Sequence, residues 1–447
     1  MSPSPGERAE GAPKHVLTTR DAVAIIVGLV IGAGIFRLPQ LVAMNSANEW
    51  VFYGLWIAGG VISLIGAMVY AELATAFPSA GGDYSFVQRA YGRSLSFLYA
   101  WARIAVITTG SIAVLAYTFG DYASNLLRLG PASSSIWAAL AVIVLSAINI
   151  AGIRETKSTQ NWLTVLEVAG VVGVIVTGIL LAAPAAAPAP AASAEAKPWM
   201  AGVPLAILFV LFTYGGWNES AYISAELKRR RSMVVALALG LASVTVLYLA
   251  VNYAYLRTLG LEGLAKSETA AASVLAMQFG EAGAKIMSFI VAVAALTSIN
   301  ATIIVGARSN YALGRDWPVF GWLGHWHERT DAPRNSLLLQ AAVALVLVVA
   351  GAFTDKIETM VNYTMPVFWF FITLVGIGLF VLRAKEPDAP RPFKVPLYPL
   401  TPVIFILTCA YLFYSSVAYV KGGALVGLGV LGVGVVLLLV GRNGGKA

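Results

Sequence analysis

Stretches of about twenty consecutive apolar residues recur along this chain, and no other feature limits its fold so severely. A hydrocarbon core ~30 Å thick takes about 20 helical residues to cross, and a backbone inside it must satisfy its own hydrogen bonds. Segments near 21–43, 51–77, 95–127, 135–152, 159–182, 201–227, 232–257, 283–308, 335–353, 358–383, 397–419 and 423–441 reach or approach that length, which predicts twelve spans. The alternating pattern of barrel strands is missing, so the spans are read as helices. Composition agrees: 58% of the 447 residues are hydrophobic and 12% charged, with a mean hydropathy of +0.78, too apolar for a soluble protein of this size. The expected class is an all-α membrane protein. The first segment follows a polar stretch and lacks a small-residue cleavage site, which argues against a signal peptide.

Lys and Arg resist translocation, so their placement predicts orientation. Of the 30, seven fall in the segments opposite the N-terminus (Arg128, Lys197, Arg257, Lys266, Lys285, Lys356, Lys421) and two inside spans (Arg37, Arg103), leaving 21 on the N-terminal side. Twelve spans with both termini cytoplasmic, in the inner membrane, is the expectation. A basic face against an anionic lipid bilayer accounts for the net charge of +8 without a nucleic acid. The stretch 183–199, AAPAAAPAPAASAEAKP, reads as an extended external linker. GGDYSFVQRAYGR (81–93) reads as a short amphipathic helix on the cytoplasmic surface.

Two spans are weakened in the middle. GLVIGAGIF (28–36) places Gly28, Gly32 and Gly34 in the first, and LFTYGGW (211–217) places Gly215 and Gly216 in the sixth. Gly28 and Gly32 fit a helix-packing face, but Gly32 and Gly34 flank Ala33 about 18 Å into the span, near the midplane. The two weak points are five spans apart, an odd number, so the segments cross in opposite directions, as an inverted repeat of spans 1–5 and 6–10 requires. Interrupted helices at corresponding places point to a transporter site where half-helix ends offer N–H groups to an anion and C=O groups to a cation.

IGAGIF, YAELATAFPSAGGDYSFV (70–87), FTYGGWNESAYISAELK (212–228), GARSNYALGRDWPVF (306–320) and RPFKVPLYPLTPVIF (391–405) together resemble amino-acid permeases of the amino acid–polyamine–organocation superfamily, and FTYGGWN is most similar to the L-type transporter branch. The resemblance covers about residues 16 to 420. It implies a leucine-transporter-type fold: helices 1 and 6 broken, a first five-helix repeat at 21–182 after an N-terminal tail at 1–20, a linker at 183–200, a second repeat at 201–383, and helices 11 and 12 with the tail at 384–447. It further implies that the N–H groups of Ala33 and Gly34 hold a substrate carboxylate, with Gly32 allowing close approach. Carbonyls of Val30 or Ile31 and of Phe212 and Gly215 would meet the ammonium. Tyr214 and Trp217 would shape the side-chain end, with Thr213, Gly216 and Asn218 in the same segment. The loop SNLLRLGPASSS (124–135) lacks the cysteine by which eukaryotic relatives join a heavy chain, so no disulfide-linked heavy chain is expected.

A second departure concerns coupling. Many relatives carry a lysine where this chain has Glu167, roughly 13 Å into the fifth span. A carboxyl so deep is protonated, paired or bound to a cation. Thr297 and Ser298 of the eighth span resemble oxygen ligands of sodium-coupled members, which leaves three readings open: Glu167 as hydrogen-bonded glue, as a proton carrier, or as part of a cation site. Arg103 is read as snorkelling from the inner end of its span, and Glu72 as structural. The scan for other chemistry is negative. His325 and His327 lack partners for a metal site, no GxxxxGK[ST] loop exists, and intramembrane ionisable residues are too scattered for an enzyme. The expected function is secondary transport of an amino acid, of neutral side chain because the broken segments are small and apolar. H⁺ or Na⁺ is the expected coupling ion, with no cofactor or catalytic residue. An uncoupled exchanger or an amine carrier is the alternative.

Overall fold

The computed structural model describes residues 15–32, 34–181, 200, 202–267, 270–353, 357–420 and 424–443. Ala33 and the linker 183–199 therefore lie outside the described residues. Helix α1 (Thr19–Val30) opens on a capping box, in which Thr18 Oγ accepts from the Asp21 N–H and the Asp21 carboxylate accepts from the Thr18 N–H at 2.8 Å. The chain resumes in α2 (Gly34–Met44), α3 (Glu49–Ala76) and the short α4 (Asp83–Tyr91). Helices α5 (Arg93–Ala102) and α6 (Thr108–Leu126) are joined by a π-helical turn over Arg103–Ile107. Then come α7 (Ser133–Ala151), α8 (Ile153–Val176), α9 (Val203–Thr213), a 3₁₀ helix (Trp217–Glu226), α10 (Arg231–Lys266), α11 (Ala270–Phe279), α12 (Glu281–Asp316), α13 (Arg334–Ala352), α14 (Ile357–Lys385), α15 (Leu400–Val420) and α16 (Ala424–Asn443).

Among the described residues nine helical segments are long and apolar enough to cross a membrane. The first, sixth and twelfth expected spans are not among them, the first and sixth because each lies in two pieces. Helix α12 outruns its expected end at 308: Arg308, by elimination one of the 21 cations on the N-terminal side, is buried two turns before the helix stops at Asp316. Burial is tolerated there because both Glu226 carboxylate oxygens accept from its guanidinium. Helix α4 exists as expected but does not lie free on a surface, since Tyr84, Phe86, Val87 and Ala90 are buried on it.

Two large apolar clusters hold the helices together. The larger joins α1, α2, α3, α9 and α10, the expected spans 1, 2, 6 and 7, and takes in residues of α8, α12, α14 and α15 as well. Another joins α6, α7, α12 and α13, the expected spans 3, 4, 8 and 9. Glycine lets the two approach: a Cβ on Gly28 would come within 2.4 Å of Gln160 on α8 and 2.5 Å of Thr297 on α12. The basic end is tied by ion pairs. Glu72, at the end of α3, takes Arg383 of α14 at 2.9 and 2.6 Å and the Val395 N–H at 2.6 Å, a structural role. The 3₁₀ helix is fastened to the chain before α1, where the Leu17 N–H donates to Glu226 O and the Lys228 N–H to Leu17 O.

Candidate functional site

Four helix ends meet at one cavity of about 400 Å³. Helix α1 ends at Val30, and Ile31 turns extended at φ −73°, ψ 111°. Helix α9 ends at Thr213; Gly216 then takes φ +107°, and the chain leaves in the 3₁₀ helix. The first break contributes Val30, Gly32 and Gly34 to the cavity wall; the second contributes Phe212, Thr213 and every residue from Gly215 to Asn218. The C-terminal carbonyls of α1 and α9 thus stand beside the N-terminus of α2, whose first-turn N–H groups have no partner within the helix. Partial negative and partial positive charge face the same space, which suits a ligand carrying both an ammonium and a carboxylate.

The breaks are held together by groups from other helices. Tyr248 of α10, fully buried, sets its hydroxyl 2.8 Å from Val30 O and 3.1 Å from Thr213 O, one hydroxyl spanning both interruptions. Nothing in the uniformly apolar seventh span marks this tyrosine in the sequence. Ser298 of α12 donates toward Gly28 O and Ile31 O, each at 3.3 Å, and lines the cavity. The Phe212 carbonyl, expected to be open, already accepts from the Gly215 N–H at 3.1 Å. Tyr214 lies outside the wall: it is buried against Trp56 and Tyr248, with its hydroxyl on Trp56 O at 3.2 Å. Trp217 does line the cavity, standing edge-on to Tyr70 with ring centres 5.4 Å apart.

Behind the first break, Glu167 is fully buried and neither of its carboxyl oxygens has a hydrogen-bond partner among the described residues. Thr297, which packs there against Gly28, gives its proton to Val293 O at 2.9 Å. A chain of amides runs alongside: Asn149 donates to Asn300 and Asn300 to Gln160, each at 2.8 Å. Among the described residues no cluster of three His, Cys, Asp or Glu could hold a metal.

Arg103 does not snorkel. Its guanidinium donates to both oxygens of Glu219 at 2.8 and 2.6 Å, with 1% of its side chain exposed. The π turn carries Arg103, and such turns recur at functional positions. Tyr99 and Tyr222 share a hydrogen bond of 2.7 Å beside the pair, and Tyr99 donates to Asp83 of α4 at 3.0 Å. Burial, with repulsion from Glu219 next, pushes the Asp83 carboxyl up to about 7.

The model of the amino acid permease family matches residues 17–436. The chain is similar to b(0,+)-type amino acid transporter 1 of Mus musculus, with 27% identity over 88% of this chain and 81% of that protein. It is 30% identical to large neutral amino acids transporter small subunit 2 of Homo sapiens, over 93% of this chain and 78% of that one. Cystine/glutamate transporter of Pongo abelii is 26% identical over 89% and 79%. Helices of spanning length and a family match over nearly the whole chain lead to one conclusion: this is a multi-pass membrane protein that belongs to the amino acid permease family of the amino acid–polyamine–organocation superfamily.

Proposed function

We propose that this protein is a secondary transporter that carries amino acids of uncharged side chain across the cytoplasmic membrane by alternating access. The observation that carries the reading is the cavity itself, at the meeting of both broken helices, with helix ends of opposite polarity on its wall and apolar surface around them. The named relatives are amino-acid transporters. An amine carrier is disfavoured because Glu219, the one acid on the cavity wall among the described residues, is engaged by Arg103.

Twelve spans in a leucine-transporter-type arrangement complete the proposal, with repeats at 21–182 and 201–383 and both termini cytoplasmic. Adding five to spans 1 and 2 gives 6 and 7, which share the larger cluster, and adding five to 3 and 4 gives 8 and 9, which share the other, with span 8 entering both. Cys409 is the chain's one cysteine and is free and buried, which supports action without a disulfide-linked subunit.

For coupling, Glu167 is read as a proton carrier. One carboxyl holds a proton unaided, whereas a sodium ion needs a full shell of oxygens, of which the Thr297 and Ser298 hydroxyls would supply only two. Uptake into proteoliposomes, with a panel of amino acids and imposed H⁺ or Na⁺ gradients, tests both parts. Uncharged amino acids are expected to accumulate under an inward proton gradient. Glu167→Gln is expected to keep exchange of substrate for substrate and lose that accumulation. Accumulation that survives Glu167→Gln overturns the coupling role, and absence of any amino-acid uptake overturns the function.

A further inference from the structure

The cavity wall carries one pair of opposite charges, and sequence position does not explain it. Arg103 comes from the π turn of the third span and Glu219 from the first turn of the 3₁₀ helix, two residues past Trp217; both line the cavity. The guanidinium lies over the Tyr222 ring at 4.4 Å and forks onto the carboxylate, so the shortest hydrogen bonds of each charge go to the other, with Tyr99 at 3.3 Å from Arg103 and Asn218 at 3.5 Å from Glu219 as longer partners. Glu219 keeps 15% of its side chain exposed while Arg103 keeps 1%. Asp83, the third ionisable group nearby, is separated from the cavity by Tyr99 and is absent from its wall.

A side chain entering this space meets a neutral wall only while the pair is closed. We propose that Arg103 and Glu219 together are the charge filter of the transport site, excluding amino acids with acidic or basic side chains. The proposal rests on the amino-acid transport reading and deepens it. An acidic side chain could bind Arg103 only by detaching it from Glu219, which would then stay buried without a partner. A basic side chain would strand Arg103 in the same way. Truncating or displacing one member of a buried pair is costly chiefly because the other charge stays behind, desolvated and unpaired. An uncharged side chain disturbs neither.

Removing one member should therefore invert selectivity with a predictable sign. In proteoliposomes, uptake of uncharged amino acids is compared with uptake of glutamate and of lysine at neutral pH. Wild type is expected to take the uncharged set. Glu219→Gln frees Arg103 and is expected to raise glutamate relative to the uncharged set by about tenfold or more, a difference of ~1.4 kcal/mol. Arg103→Gln frees Glu219 and is expected to raise lysine by a similar factor, while the double variant gains neither. Arg103→Lys keeps the charge, and with it the fold, but covers the carboxylate from a single point; a smaller lysine gain is expected, so the idea stays testable if the single neutral variants do not fold. Folded variants that still bind uncharged amino acids, seen as a substrate-induced rise in melting temperature, yet gain no charged substrate or gain the wrong sign, overturn the filter. Wild type accepting lysine or glutamate as readily as uncharged amino acids overturns it as well. Wild type that transports no amino acid at all fails the transport reading first, and the filter with it.

Discussion

The two interrupted helices do the same job by different means. In the first, the helix stops at Val30 and restarts at Gly34, and the gap is held by side chains from elsewhere, Ser298 from α12 and Tyr248 from α10, whose hydroxyl also reaches Thr213 O at the second. In the second, the backbone itself makes the break: Gly216 adopts φ +107° and the chain then runs ten residues as a 3₁₀ helix. Runs of that length are uncommon, because 3₁₀ hydrogen bonds are poorer than α-helical ones. A break stitched by several partners should degrade in steps when they are removed, whereas a break resting on one residue's conformation should fail at once.

The largest expected effect follows. A Cβ on Gly216 would stand 2.3 Å from Leu29 O, backbone of the first break, and the positive φ disfavours any side chain there. Gly216→Ala is expected to abolish amino-acid binding and to lower the melting temperature; wild-type affinity in that variant would remove the claim that the second break depends on this residue. At Gly34 the first break has room, since a Cβ would find only Leu38 at 3.5 Å and Thr213 at 3.6 Å. Gly34→Ala is expected to keep the fold with modest loss of binding, and Gly34→Leu to lose binding because its branches fill the cavity. Equal behaviour of Gly34→Ala and Gly216→Ala in ligand-induced melting shifts would erase the contrast between the breaks.

A graded effect is expected at the stitch. Tyr248→Phe removes one hydroxyl shared by Val30 O and Thr213 O, worth about 1 kcal/mol as a net hydrogen bond. That corresponds to roughly a fivefold loss of affinity if the breaks are shaped by it. Calorimetric or scintillation-proximity binding that shows no change would leave Tyr248 as packing alone.

Much of this was legible in the chain, for physical reasons. A bilayer demands long apolar helices, so their presence shows in hydropathy, and glycine in mid-span is costly enough to betray Gly34, Gly215 and Gly216. What stayed hidden depends on contacts between distant residues. Arg103 and Glu219 lie 116 positions apart, and a π turn that aims the arginine has no compositional mark. Tyr214 and Trp217 are three residues apart and equally aromatic, yet the turn at Gly216 sends only Trp217 to the cavity. That Arg308 is buried rather than solvated was hidden for the same reason, since its partner, Glu226, lies 82 positions away.

The smallest expected effect tests whether the second break's surroundings differ from the first in their response to pH. Asp83, on α4 and outside the spans, faces Tyr99, Arg103, Glu219 and Tyr70, and its carboxyl is pushed from 3.8 up to about 7, chiefly by burial. Between those two values the folded protein holds a proton that the unfolded chain has released, so stability falls as pH rises and levels off above about 7. The slope for one proton is at most about 1.4 kcal/mol per pH unit. Melting of the purified protein at about pH 5.5 and about pH 8 should show the wild type less stable in the more alkaline buffer, beyond whatever its other groups contribute. Asp83→Asn, which keeps a polar partner for the Tyr99 hydroxyl but cannot ionise, should shrink that difference by raising the alkaline value. If the gap between the two conditions is the same in both proteins, Asp83 does not titrate in this range, and the cluster that ties α4 to the 3₁₀ helix is as indifferent to pH as the carbonyl stitch at the first break.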